Sequence, residues 1–287
     1  MTLAGRVYSA LGASEACFDC CDTSFYVRAE GRGAADAVEA ATATARGLES
    51  QLNAFADGSA VAELNETGRV ENPHVARIVE RGLSYRERTG GVFDVRQGAV
   101  EHAVKAYIRG DADAVGEKFG DGSVSVDGDA VTADCTLDLN GLAKGYLVDR
   151  AAEAADGMGR RAMVDGGGDV AHPVGPVGIE SPYGGRDLRV LDVDDDAHVA
   201  TSGRYRRERD GTDHVYDPTT ERVSGRCTLA TVVAERDTTE ADALATVLVA
   251  LPAEDGIALV ESWAGAEAFV LADGAFRETS GFDAHLA

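Results

Sequence analysis

The run "TTEADALATVLVAL" (238–251) sets Asp242 and Thr246 four residues apart among apolar neighbours, so on a helix they share one face. A carboxylate and a hydroxyl oxygen together make a hard-ligand pair suited to Mg2+. A carboxylate buried in an apolar face is costly unless a cation meets it. The competing account has Thr239 or Glu240 capping the helix, with Asp242 in its first turn facing the dipole; it explains Asp242 and leaves Thr246 unexplained. A second segment, "LDLNGLAKGYLVDR" (137–150), gathers Asp138, Asn140, Gly141 and Lys144 around a turn into a helix. Lysine is scarce here: Lys105, Lys118 and Lys144 are the only three among 27 basic residues. A compact ammonium beside a glycine turn and a helix N-terminus suits a phosphate or another small anion, the alternative being a surface salt bridge. In "VATSGRYRRERDGTDHVYDPTTERVSG" (199–225), Thr201-Ser202-Gly203 ends one strand, and Asp213-His214 and Asp217-Pro218 fall on a second. A histidine between aspartates, close to hydroxyls and glycines, suits a base, a phosphate contact or a structural role. In "TGGVFDVRQGA" (89–99) two glycines lead to Phe93-Asp94, which by itself reads as a helix C-cap followed by a solvated acid.

These segments need elements to hold them. Alternation predicts a strand at 23–31. Helices are predicted at 34–54, at 73–89 (opened by Pro73 and closed by Gly90-Gly91), at 143–156, at 238–251 and at 253–264. Hairpins are predicted at 122–133, turning at Asp127-Gly128, and at 268–278, turning at Asp273-Gly274. A strand at 161–170 runs into the glycine turn of "DGGGDV". Further strands fall at 176–180, 187–193, 197–201, 213–217 and 227–235. Strands do not alternate strictly with helices. The expectation is an α+β chain, 1–287 as a single domain, with hairpin-rich, largely antiparallel sheets packed by helices.

Composition narrows the function classes. Fifty acids against 27 bases give a net charge of −23, spread along the whole chain. With lysine nearly absent, that pattern suits a protein dissolved in concentrated salt, where at about 1 M the Debye length shrinks to ~3 Å. Such charge argues against nucleic acid and anionic membrane surfaces as partners. No apolar run reaches the ~18 residues of a membrane span, and the first 16 residues lack a signal-peptide core. Five cysteines, an odd number, make no disulfide framework. "CFDCC" (Cys17, Cys20, Cys21) holds a C-x-x-C, but no second C-x-x-C or histidine pair follows, so the cysteines read as free thiols in a reducing compartment, the cytoplasm.

From about Asp22 to the C-terminus the chain resembles the ApbE family of FAD:protein FMN transferases. Seven segments match in order: "LNAFADGSAVAELN" (52–65), "GGVFD", "LDLNGLAKGYLVD", "DGGGDV", Thr201-Ser202-Gly203, His214 to Pro218, and Ala241 to Thr246. The resemblance implies a Mg2+-dependent reaction in which an acceptor threonine hydroxyl attacks the FAD phosphorus next to riboflavin and AMP leaves. By carry-over, Mg2+ is held by the side chains of Asp242 and Thr246 and the Gly141 carbonyl. Lys144 contacts FAD; Cys21, Asn53, Ala54, Phe55 and Asp94 line the flavin and adenine pockets; His214 is the base or orients phosphate. The implied partners are FAD and an acceptor flavoprotein carrying the target threonine. Two departures stand out. The family's M-G-T reads Cys21-Asp22-Thr23 here, and the glycine that usually follows D-P-r-T reads Glu221. The alternatives are an FAD pyrophosphatase, with water in place of the acceptor, and a flavin-binding protein without turnover.

Overall fold

The computed structural model describes residues 12–116, 120, 122–206, 208–223 and 225–287, so the leader reading of the first residues and Lys118 fall outside it in whole or in part. An eight-stranded antiparallel sheet runs in the order β1 (Ala13–Cys20), β2 (Thr23–Glu30), β6 (Ala162–Gly166), β7 (Asp169–Ala171), β10 (His198–Gly203), β15 (Leu229–Ala234), β16 (Ala266–Ala272) and β17 (Ala275–Glu278). Its central strands are apolar on both faces because both faces are covered. In β15, Ala230, Val232 and Ala234 join the main core, while Leu229 and Val233 join a second cluster with Ile179, Leu191, Phe269 and Phe282.

Three helices cover the main-core face: α1 (Ala34–Leu52), α5 (Asn140–Gly157) and α6 (Thr238–Ala250). On α1, Ala34, Ala37, Val38, Ala41, Ala45, Leu48 and Leu52 are buried at helical spacing, and the small alanines let α1 lie close to α5. The α5–α6 contact is tighter still. A Cβ on Gly145 would stand 2.5 Å from the Thr238 carbonyl oxygen, so glycine alone fits that crossing. Asp149 of α5 also accepts the Thr238 and Thr239 N–H groups at 2.8 and 2.9 Å, satisfying the exposed donors that open α6. These two helices carry Gly141, Lys144, Asp242 and Thr246, and their close crossing brings the four together.

Several expectations need correcting. The strand β1 and two helices, α2 (Ala60–Thr67) and α4 (Gly98–Arg109), were not anticipated. The predicted strand 213–217 is two short strands, β12 (Thr212–Asp213) and β13 (Tyr216–Asp217). Asp213 causes the break: its carboxylate accepts the Val215 N–H at 2.9 Å and the Gly225 N–H at 3.0 Å, turning the backbone between the strands. The hairpin of β4 (Val124–Asp127) and β5 (Ala130–Ala133) turns at Gly128-Asp129, one residue later than expected, because Gly128 takes the left-handed φ of +59°.

Candidate active site

A cavity of about 710 Å³ opens where α5 and α6 meet the segments at 21–23, 93–95 and 167–168 and the end of β10 at 201–203. Gly141, Lys144, Asp242 and Thr246 all line it. A Cβ on Gly141 would lie 3.4 Å from Thr246 Cγ2 and 2.9 Å from the Phe93 ring, so Gly141 and Thr246 are in contact across the helix pair. The Gly145 N–H of α5 donates to Asp242 Oδ2 of α6 at 2.9 Å. The cap of α6 is Asp237, whose carboxylate accepts the Glu240 N–H. Asp242 therefore lies beyond the first turn, and the capping account of it is set aside.

Lys144 forms a short ion pair with Asp169, a fully buried residue in the "DGGGDV" turn that sequence reasoning passed over. Burial favours the neutral amine, but Asp169 and then Asp242 outweigh it and hold the Lys144 ammonium above its ordinary value. Burial, and next the charge of Asp242, pushes Asp169 well above the usual carboxylate range; burial likewise raises Asp242 against the pull of Lys144. Two buried acids thus share one ammonium, beside a hydroxyl and a helix-start carbonyl. A corner with more acid than base and oxygen donors only fits a hard divalent cation.

The second lysine of the cavity, Lys105 on α4, was also missed. Its ammonium pairs closely with Asp138 and lies 3.4 Å from Glu101, and His102 Nε2 is 3.3 Å from Asp138. Asp138 in turn accepts the Asn140 N–H at 2.8 Å, which sets the start of α5. Burial, then the charge of Asp138, pushes Glu101 up from 4.5 to about 8. Between those two values the folded chain keeps a proton that the unfolded chain has lost, so this group makes stability fall as pH rises through the window. Glu101→Gln is expected to flatten that slope in denaturant titrations at fixed salt. An unchanged slope would mean that Glu101 ionises normally.

Across the cavity wall, seven carboxylates (Asp22, Asp94, Glu101, Asp138, Asp165, Glu180 and Asp242) face two lysines. Asp94 is no solvated acid. It is 8% exposed, and its carboxylate accepts from Arg96 at 2.9 Å and Arg86 at 3.1 Å; these arginines outweigh burial and hold it below the usual range. His214 lines the cavity from the break between β12 and β13. Asn53, Ala54 and Phe55 lie beside the cavity rather than among its lining residues. Asn53 caps α1 and its Oδ1 accepts the Phe55 N–H at 3.0 Å, while the Phe55 ring lies 4.6 Å from the ring of His102 and 4.9 Å from the Arg109 guanidinium.

Both departures from the family pattern fall on left-handed backbone. Cys21 and Asp22 form the two-residue turn between β1 and β2 at φ +54° and +56°, and Glu221 sits at φ +54°. Both residues of a type I′ turn need positive φ, which explains a glycine preference and shows that Asp22 keeps the turn without it. Glu221→Gly is expected to raise stability by about 1 kcal/mol, and Asp22→Gly by less, since aspartate tolerates this region. Urea unfolding midpoints check this; a loss of stability in Glu221→Gly would contradict it.

The ApbE family model matches residues 21–270. The chain belongs to the ApbE family. The FAD:protein FMN transferase of Treponema pallidum (strain Nichols) is 31% identical over 283 residues, covering 81% of this chain and 76% of that protein. That of Vibrio cholerae serotype O1 (strain ATCC 39541 / Classical Ogawa 395 / O395) is 30% identical over 155 residues, covering 48% and 46%. Among solved structures, the ApbE protein of Thermotoga maritima matches with a TM-score of 0.81 at 23% identity, over 96% of this chain and 99% of that one. The flavin transferase ApbE of Vibrio cholerae matches with a TM-score of 0.75 at 20% identity, over 96% and 100%. The two structures carry the fold, and the family with its named relatives makes this chain a transferase. Among the described residues of this ApbE-family chain, no helix is long and apolar enough to cross a membrane.

Proposed function

We propose that the protein transfers the FMN part of FAD to a threonine hydroxyl of a separate acceptor flavoprotein, using Mg2+ and releasing AMP. The observation that carries this reading is the convergence of Asp242, Thr246, Gly141 and Lys144 in one corner of the cavity. Mg2+ would be held by the Asp242 carboxylate, the Thr246 hydroxyl and the Gly141 carbonyl. When bound, it supplies charge neutralisation at the pyrophosphate, which phosphoryl transfer needs more than covalent help. The acidic wall supports the need for it, because an FAD pyrophosphate meets seven carboxylates and two lysines there.

The chain's own groups do the rest. Lys144 contacts the phosphates, and Cys21, Asn53, Ala54, Phe55 and Asp94 border the flavin and adenine. His214 orients phosphate or takes the proton of the acceptor hydroxyl as its oxygen bonds to the phosphorus next to riboflavin and the bond to AMP breaks. Residues 1–287 act as one domain. The acid-rich, lysine-poor composition supports work in concentrated salt, and five free cysteines support a cytoplasmic setting.

The deciding experiment is incubation with FAD, Mg2+ and a threonine-bearing flavoprotein subunit, followed by a denaturing gel scanned for flavin fluorescence. Covalent label on the subunit is the expected result. Rapid AMP and FMN release with no label on any chain would instead indicate the pyrophosphatase.

A further inference from the structure

The C-x-x-C of "CFDCC" is not a chelating pair in the fold. Cys17 and Cys20 are three apart on β1 and so face opposite sides of the sheet, Cys17 exposed and Cys20 buried. The end of the strand brings a different pair together. Cys20 Sγ and Cys21 Sγ are 3.9 Å apart, and Glu49, near the end of α1, reaches them from 28 residues away; its Oε1 accepts the Cys21 N–H at 2.5 Å. The two sulfurs and a Glu49 carboxylate oxygen all lie within 4.8 Å of one another, the one such group among the described residues.

We propose that Cys20, Cys21 and Glu49 form a site for a thiophilic divalent cation, Zn2+, with two thiolates, one carboxylate and an open fourth position. Two sulfurs at about 2.3 Å from zinc and a tetrahedral angle are about 3.8 Å apart, which the observed 3.9 Å already meets. Glu49 lies within 4.8 Å of both sulfurs, and a zinc–oxygen distance near 2 Å asks for an approach to about 3.5 Å. It is partly exposed, so a rotamer change can supply it. The thiolate pair selects this class of ion over Mg2+, which prefers the oxygen-only corner at Asp242. On binding, two S–H bonds break, two protons pass to water and two metal–sulfur bonds form, with no change of oxidation state. Because Cys21, Asp22 and Thr23 line the cavity, the ion would tie that wall to α1.

Co2+ is the probe, added to the reduced, metal-stripped full chain in excess Mg2+ so that the oxygen-only corner is already filled. One Co2+ per chain is expected, with a near-ultraviolet sulfur-to-cobalt charge-transfer band that oxygen ligands cannot produce, displaced by one equivalent of Zn2+. Cys21→Ser is expected to lose the band, and Glu49→Gln to weaken Co2+ binding at least tenfold; Cys17→Ser is expected to keep both. Cys20 is buried and its serine variant risks misfolding, so the test rests on the partly exposed Cys21 and Glu49. No charge-transfer band in the wild type, a band that survives Cys21→Ser, or unchanged affinity in Glu49→Gln would overturn the assignment.

Discussion

Asp242→Ala is expected to lose FMN transfer by on the order of 10³-fold or more, the scale that follows when a metal proposed to stabilise a phosphoryl-transfer site goes unheld, while the chain stays folded. Two effects on stability oppose each other. The variant gives up the hydrogen bond from the Gly145 N–H, about 1 kcal/mol. It also relieves a buried like-charge contact, because Asp242 raises Asp169 while both depend on Lys144. Asp242→Asn separates the contributions: the amide oxygen can still accept from Gly145, but the negative charge is gone, so activity falls as far while stability holds. Circular dichroism and the gel assay, run on the same preparations, check both parts. Normal turnover in a folded Asp242→Ala protein would remove Asp242 from the proposed metal site.

Lys144→Ala is expected to weaken FAD binding by about 10- to 100-fold, the worth of one charge-assisted contact to phosphate, and Lys144→Arg is expected not to restore it. Lysine presents a point charge at the end of a slim stem, whereas arginine brings a planar fork. The space is set by fully buried Asp169 and by the close α5–α6 crossing at Gly145. In the alanine variant Asp169 and Asp242 lose their shared cation, so the empty protein also loses stability, most at high pH where both acids would ionise. Titration calorimetry with FAD decides: equal affinity in the arginine variant would show that any positive charge suffices at position 144.

Much of the site was legible because its chemistry is local. Asp242 and Thr246 declared themselves by four-residue spacing on an apolar helix, and Lys144 by the scarcity of lysine beside a glycine turn. Asp169 did not, because an acid after three glycines looks like a turn residue until the sheet buries it. Lys105 and Glu101 were hidden with their helix. Val100 and Val104 carry its apolar spacing, but Gly98 at its start and the charged residues between them obscured the pattern. Cys20 and Cys21 read from sequence as free thiols, since Glu49 is brought to them only by the packing of α1 on β1 and β2.

Local periodicity and turn chemistry were enough to establish the α+β class, the antiparallel hairpins and the ordered run of motifs, because these depend on residues within a turn or two of each other. The folded chain alone decided which charges share a partner, because the pairs Lys144–Asp169, Lys105–Asp138 and Asp242–Gly145 join residues far apart in sequence. The energy of each depends on burial and distance, which arise only when the helices pack on the sheet and on one another and exclude water from between the paired groups.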